Sequence, residues 1–374
     1  MITGFRRVSR KSPCRVCGKP DWCSTTADHS ISFCARSRTN ADRLSRNGWG
    51  IYYCGSEKPR FPDRAIPKKP SFRAKQFPMA PIDLRNKIYQ KLIQLSPLSE
   101  RDGFCPGDGG VSDRIRASSR YGLFPKAAFE RHRLVRSLIE SFAKDDAVVP
   151  PFKGVPGFWR DSNGGLRLGN DFDSRDEMLL IPFYDPHGLI QACQIRTMRR
   201  SPNTSGKYLW LSSIGQQDGS GPGTPLHHEG AVGLGGRTVD KVLVTEGALK
   251  AATVQTFLYD RYVVGNSGVA TSHGEIIKAA RRKTLEIAFD ADCLTNPHVA
   301  RALASLIALR VREQKFLSYD HPVRIITWDK HYKGIDDALI AGATLKYQNV
   351  SAWLKSLTPN CFEATRHQLA GISL

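Results

Sequence analysis

The 374-residue sequence contains no apolar run approaching the ~20 residues needed to cross a bilayer. Its start, Met1-Ile-Thr-Gly-Phe-Arg-Arg-Val-Ser-Arg10, lacks the apolar core of a secretory signal. A cytoplasmic location with no membrane partner is the expectation. No Gly-x-x-x-x-Gly-Lys-[Ser/Thr] loop occurs, which excludes a nucleotide-driven motor of that type. Acidic residues are scarce: 35 Asp+Glu stand against 55 Lys+Arg, for a net charge of +20 and a pI near 9.7. Such an excess favours a polyanionic partner, because neutralising phosphates releases condensed counterions without any sequence readout. The nine cysteines do not read as a disulfide framework, since the cytoplasm keeps thiols reduced.

Charge and cysteine are both concentrated at the N-terminal end. Residues 1–80 hold 17 Lys/Arg and 5 Asp/Glu, so 17 − 5 = +12 of the +20 falls in the first fifth of the chain. Trp22, Phe33, Trp49, Tyr52 and Tyr53 are interleaved with these charges and offer rings on which unpaired bases stack. Cys14, Cys17, Cys23 and Cys34 follow in the order C-x2-C-x5-C-x10-C, whereas Cys105, Cys193, Cys293 and Cys361 are isolated. Zn²⁺ takes four N or S ligands in a tetrahedron, and Cys14-Arg-Val-Cys17-Gly18 has the form of a knuckle that aims two thiolates at one ion. Cys23 and Cys34 complete the set, with His29 and Cys54 as alternatives. So small a segment buries little apolar surface, and the metal is expected to supply much of its folding energy.

The length fits several domains, and the fold class expected is multidomain: a zinc ribbon over 1–56, a linker over 57–80, an α+β basic subdomain over 81–236, an α/β domain with a parallel sheet over 237–358, and a tail over 359–374. The linker carries prolines at 59, 62, 67, 70 and 78 among basic residues. Leu84, Ile88, Leu92 and Leu95 recur at helical spacing, and Phe129 to Phe142 repeats the pattern. Short strands follow in Gly165-Leu-Arg-Leu-Gly169, Met178-Leu-Leu-Ile-Pro-Phe-Tyr184 and Leu189-Ile-Gln-Ala-Cys-Gln-Ile-Arg196. Beyond Arg237 strands and helices alternate: strands at 241–245, 262–264, 285–289 and 323–328, helices at 248–258, 274–282 and 297–314. That order implies a parallel sheet covered on both faces.

Several of these strands end in acid. Glu246 follows Val-Leu-Val-Thr, Asp290 and Asp292 follow Ile-Ala-Phe, and Asp336-Asp337 follow Lys333-Gly-Ile. Parallel sheets bind ligands at the carboxyl ends of their strands. Period-two spacing lets Asp290 and Asp292 project to one side. Carboxylates so gathered suit Mg²⁺, which prefers oxygen donors and is commonly held by one or two protein carboxylates beside substrate phosphates. For Asp336 and Asp337 the alternative is capping of the helix that begins at Ala338.

The order Val244-Thr-Glu246-Gly247, then Phe289-Asp290-Ala291-Asp292, on alternating strands and helices, resembles the toprim domain shared by bacterial-type primases, topoisomerases and certain nucleases. The flanks are similar to primases: Asp185-Pro-His-Gly188 through Arg196, then Gly206-Lys207-Tyr208-Leu209 upstream; Gly265-Asn-Ser-Gly268 and Lys333-Gly-Ile-Asp336-Asp337 downstream. The resemblance covers most of the chain and is nearest to primase-like proteins of phages, plasmids and mobile elements. It departs from the family in its zinc ligands, which do not follow the Cys-His-Cys-Cys order of the replicative enzyme.

The resemblance implies synthesis of short RNA primers from ribonucleoside triphosphates on a single-stranded DNA template. Glu246, Asp290 and Asp292, with Asp336 or Asp337, would hold Mg²⁺ or Mn²⁺. Arg196, Arg199, Arg200, Lys207, Tyr208 and Lys333 would contact template or nucleotide. With only residues 359–374 beyond the toprim-like stretch, unwinding would fall to a separate replicative helicase. A toprim nuclease using the same carboxylates, and a non-catalytic nucleic-acid binder, are the alternatives.

Overall fold

The structure, a computed structural model, describes residues 5–37, 41–45, 49–53, 77–98, 119–145, 148–169, 178–197 and 207–372. Cys54, Cys105, Arg199, Arg200 and most of the basic linker lie outside the described residues. The chain divides into two compact units, Met1–Ser71 and Phe72–Leu374.

In the first unit β1 (Phe5–Arg7), β2 (Ser24–Thr26), β3 (Ile31–Cys34), β4 (Arg43–Leu44) and β5 (Gly50–Tyr53) form an antiparallel sheet in the order β1-β2-β3-β5-β4. Its buried centre consists of Val8, Cys14, Cys23 and Cys34, packed by Val16, Cys17, Ala35 and Tyr52. Thiols take the place that aliphatic side chains fill in a larger domain.

The second unit begins with α1 (Ile82–Leu95), β6 (Gly122–Phe124), α2 (Ala128–Asp145), β7 (Phe158–Arg160), β8 (Leu166–Leu168), β9 (Met178–Tyr184), β10 (Ile190–Thr197) and β11 (Tyr208–Trp210). Strands β11-β10-β9-β6 make an antiparallel sheet, with a bulge in β10 between Ile190 and Ala192, and β7-β8 form a separate hairpin. Every residue of β9 is buried, which requires cover on both faces. Met178, Leu180 and Tyr184 pack with Ile88 and Leu92 of α1 and Val135, Leu138 and Phe142 of α2. Leu179, Ile181 and Phe183 point the other way, onto Ala248 and Leu249.

Those two residues open α4 in the α/β part, which comprises β12 (His227–His228), α3 (Glu229–Gly233), β13 (Lys241–Glu246), α4 (Ala248–Phe257), β14 (Tyr262–Asn266), α5 (His273–Ala279), β15 (Thr284–Ala288), α6 (Pro297–Leu317), β16 (Val323–Thr327), α7 (Ile335–Ile340), β17 (Lys346–Gln348), α8 (Val350–Ser356) and α9 (Pro359–Leu369). The sheet order is β12-β14-β13-β15-β16-β17; the inner four strands are parallel and both edge strands antiparallel, so the sheet is mixed where a parallel one was expected. Val242 and Val244 face α5 and α6, while Leu243 faces α4 and α7.

Three boundaries differ from those expected. Strand β12 comes from the stretch assigned to the preceding subdomain, because its two residues extend the sheet beside β14. Residues 359–369, expected as a tail, form α9, which buries Cys361 and Thr365 and joins the core on the α6 side of the sheet. Residues 77–80, placed in the linker, are fastened to the second unit: Phe77 donates its N–H to Gly219 O (3.2 Å) and Ala80 to Gly154 O (2.9 Å).

Candidate functional site

Cys14, Cys17, Cys23 and Cys34 present sulfurs that all lie within 4.8 Å of one another. The Cys17–Cys23 sulfurs are 3.7 Å apart and the Cys23–Cys34 pair 3.9 Å. A tetrahedron with Zn–S of ~2.3 Å has S···S edges of ~3.8 Å, so the spacing is that of thiolates around one zinc ion. Gly18, with φ +68°, gives the turn after Cys17 its left-handed step, and its N–H reaches back to Cys14 O at 2.7 Å. His29 stands on a turn and is not one of the gathered ligands.

The carboxylates are arranged differently. Glu246 ends β13, and its Oε1 accepts the backbone N–H of Asp290 at 3.0 Å, which ties two strand ends together. Asp290 opens a 3-10 turn over Ala291–Leu294, so the period-two geometry expected for Asp290 and Asp292 does not hold. Asp292 is exposed on that turn and accepts from Asn296 Nδ2 at 3.0 Å. Asp336 and Asp337 sit in the first turn of α7, where the N-cap is Gly334 and no side chain caps. Asp337 is exposed, whereas Asp336 turns inward and its Oδ1 is buried without a hydrogen-bond partner.

Between Asp290 and Asp336 stands Lys250, in the first turn of α4, a residue not singled out from the sequence. Its ammonium pairs with Asp290 Oδ1, and Lys333 Nζ lies 3.8 Å from Asp290 Oδ2. A Cβ at position 334 would displace Asp336 Oδ1 and come within 2.9 Å of Lys250 Nζ, so a side chain there would disturb both groups. Burial opposes the Lys250 charge, but Asp290, Asp336 and Glu246 outweigh it and hold the proton above the ordinary lysine range. Burial, then neighbouring Asp290, pushes the Glu246 carboxyl up. Burial likewise raises Asp336, against the pull of Lys250.

Among the described residues the four thiols are the one group of three or more His, Cys, Asp or Glu side chains close enough to share an ion. The five acids do not gather in that way, since Asp292 and Asp337 face solvent and Lys250 engages Asp290. In kind, the donors fit a hard cation: all are carboxylate oxygens, and Asp336 Oδ1 is a dry acceptor with its lone pairs uncommitted.

Of the residues expected to flank this site, Arg196 lies in β10, Tyr208 opens β11 with Lys207 just before it, and Lys333 precedes α7. Arg196 is buried, with its guanidinium 5.8 Å from the ring centroid of Tyr208 across the strand pair. Crowding by protein pushes the Tyr208 phenol up; Arg196 and Lys250 oppose the shift, and Asp336 and Asp290 add to it. Tyr208 therefore lies within electrostatic reach of the carboxylates. Lys207 precedes it and accepts the Thr197 N–H at its carbonyl, 3.0 Å. The packing of Ala248 and Leu249 against β9 is what brings the two sheets together at this point.

A second buried cluster supports that junction. Glu229 accepts both Arg120 Nη1 (2.8 Å) and Nη2 (2.6 Å), and lies 2.9 Å from His227 Nε2. His227 Nδ1 accepts the Tyr184 N–H at 3.2 Å, which leaves Nε2 as the protonated nitrogen facing Glu229. The cluster joins β12 to the end of β9.

No helix among the described residues is long and apolar enough to cross a membrane. No family model matches the sequence, and no curated protein matches it. Solved structures with partial likeness include the Aquifex aeolicus primase zinc-binding and RNA polymerase domains (13% identity, 79% of this chain, 74% of that one, TM-score 0.46). A DNA primase domain from Pseudomonas aeruginosa gives 15% identity, 77% and 78% coverage, and TM-score 0.45. The RNA polymerase domain of Mycobacterium tuberculosis primase, in complex with a double-stranded DNA oligomer with a 6-nucleotide overhang, gives 13% identity, 74% and 84% coverage, and TM-score 0.47.

Proposed function

We propose that the protein is a toprim-type DNA primase: a nucleotidyltransferase that builds short RNA primers on single-stranded DNA, with an N-terminal zinc ribbon, in the cytoplasm and in the setting of a phage, plasmid or other mobile element. What supports this reading is that Glu246 Oε1 and the Asp290 N–H join two parallel-strand ends, with Asp336 in the first turn of α7 and Tyr208, paired across the strands with Arg196, within electrostatic reach of Asp290 and Asp336. Acid alone would serve many phosphoryl reactions. Acid facing a basic and aromatic strand pair suits a reaction in which a nucleic acid strand and a triphosphate meet.

Glu246, Asp290 and Asp336, with Asp292 at the rim, would hold Mg²⁺ or Mn²⁺. When bound, a divalent ion would supply Lewis-acid chemistry, lowering the pKa of a primer 3′-hydroxyl and offsetting phosphate charge. The chain's own residues do the positioning. The Asp290 N–H fixes Glu246 Oε1 and leaves Oε2 for the reacting centre. Lys250 and Lys333 flank Asp290 with positive charge, which favours an incoming triphosphate over a neutral ligand. The exposed Tyr208 ring offers a stacking face, with the buried Arg196 guanidinium beside it as positive charge. Cys14, Cys17, Cys23 and Cys34 hold zinc in a structural role.

Purified protein with single-stranded DNA, four ribonucleotides and Mn²⁺ or Mg²⁺ is expected to yield short RNA, and Glu246→Gln to reduce the yield by about 10³-fold, roughly 4 kcal/mol of transition-state stabilisation, with DNA binding retained. Product from the variant at the wild-type rate would end the assignment. Nicking of plasmid DNA without any RNA product would transfer the same carboxylates to a nuclease.

A further inference from the structure

The strand-end acids occupy one side of the four-stranded sheet, because Leu179, Ile181 and Phe183 face α4 and its neighbours. The opposite side is covered by α1 and α2. On the outer surface of that cover, α2 and the β7-β8 hairpin enclose a groove of about 530 Å³. It is lined by Phe129, His132, Arg133 and Arg136 of α2 and by Arg167 beside the turn residue Gly165, and no acidic side chain among the described residues lines it.

Three features separate this groove from an ordinary solvated helix face. Phe129 is 61% exposed at its edge, a large ring left in water amid charge. Arg133 and Arg136, three residues apart and so on neighbouring positions of one helix face, are both exposed and have no hydrogen-bond or ion-pair partner among the described residues. Arg167 is paired, with Asp161, and that pairing fixes the far wall. Like charges left unpaired side by side repel one another, and a partner with repeating negative charge relieves that repulsion.

We propose that this groove is a second track for single-stranded nucleic acid, on the face of the sheet turned away from the carboxylates, with Arg133 and Arg136 on successive phosphates and Phe129 as a platform for an unpaired base. The ring selects single strands, since duplex bases have no free face to stack. The track extends the nucleic-acid reading above, and it requires no catalysis by this protein. A strand bound at the carboxylates and continued across the far face would be held at two separate places, which would favour long templates over short ones.

The test is anisotropy of a labelled single-stranded oligothymidylate over a series of salt concentrations, in EDTA and without nucleotides, so that failure of primer synthesis and failure of the groove are separate results. Arg133→Glu/Arg136→Glu is expected to weaken binding about tenfold or more, and to reduce the log–log salt slope by about 1.4, the value for two lost single-strand phosphate contacts. Phe129→Ala is expected to weaken binding about fivefold or more with the slope unchanged. Arg301→Glu/Lys355→Glu, an equal change of charge at exposed positions elsewhere, is the control and is expected to retain the wild-type slope. Equal effects of the two charge reversals, a neutral Phe129→Ala, or a loss confined to duplex DNA would each overturn the proposal; an unchanged melting temperature shows that the variants are folded.

Discussion

In the first unit the candidate ligand atoms lie at the centre of the fold, whereas in the second they lie at its rim. Cys14, Cys23 and Cys34 are three of the four residues in the buried apolar centre of the small sheet, so whatever holds the thiols together also holds the sheet together. Glu246, Asp290 and Asp336 stand instead at the edge of a large core, positioned by strands whose packing does not involve them. The first is of a kind that an ion would hold together. The other is made by its scaffold, and Lys250 balances part of its charge in the meantime.

The sharpest way to break that contrast is to remove the metal. Structural zinc in small domains contributes apparent free energies of ~10–16 kcal/mol, far more than the apolar centre of the first unit can replace. Metal analysis is expected to find about one zinc per chain. A strong chelator, or Cys14→Ser/Cys17→Ser, should release it and make residues 1–71 sensitive to protease, while the second unit keeps its melting transition. Retention of zinc by the double variant would refute the ligand set, and loss of both units together would refute the division of roles.

A smaller effect, and one confined to the second unit, is expected at the Arg120–Glu229–His227 cluster. Glu229 is 2% exposed, and Arg120→Met leaves its carboxylate buried without the bidentate partner, at a cost of about 3–5 kcal/mol. The cluster also sets a pH dependence. Burial raises the Glu229 carboxyl, but His227 and Arg120 outweigh it, so the folded value lies below the ordinary 4.5. A depressed carboxyl contributes stability that is complete above the unfolded value and is lost as pH falls through the folded one. Melting of the second unit should therefore drop as pH falls below about 4.5, and Glu229→Gln should flatten that drop. An equally steep acid profile in the variant would place the linkage elsewhere.

What could be read from the residues follows from the range over which each signal acts. The strand before Glu246 and the strand before Asp290 were legible because short apolar runs, Val242–Val244 and Ile287–Phe289, recur between helical segments at the spacing of an alternating strand-helix chain. The C-x2-C-x5-C-x10-C spacing was legible because four closely spaced thiols match the ligand number of one Zn²⁺. Asp290-Ala-Asp292 misled, since alternation reads the same in a strand as in the 3-10 turn it forms. The helix at 359–369 was missed because its buried face is only Cys361 and Thr365; Pro359 after Thr358 was the available sign of a helix start. Lys250 had no local signature at all. In Gly-Ala-Leu-Lys-Ala-Ala it reads as a solvated charge, and its pairing with Asp290, forty residues away, exists only once α4 has packed beside β15.

Asn296 is where scaffold and site meet, and it offers the smallest but most discriminating measurement. Its Oδ1 accepts the His298 N–H at 3.1 Å as the N-cap of α6, and its Nδ2 donates to Asp292 Oδ2 at 3.0 Å. Asn296→Ala removes both bonds and is expected to cost about 1 kcal/mol of stability, the worth of a lost cap, with a melting shift of a few degrees at most. Asn296→Asp keeps an acceptor for the cap but sets a carboxylate against Asp292. If the rim acids are held by the scaffold, Asn296→Asp should melt like the wild type yet lower primer synthesis by about fivefold, ~1 kcal/mol, whereas Asn296→Ala should lower both. Were Asn296→Asp fully active, Asp292 would have no part in the site, and the rim would be reduced to Glu246, Asp290 and Asp336.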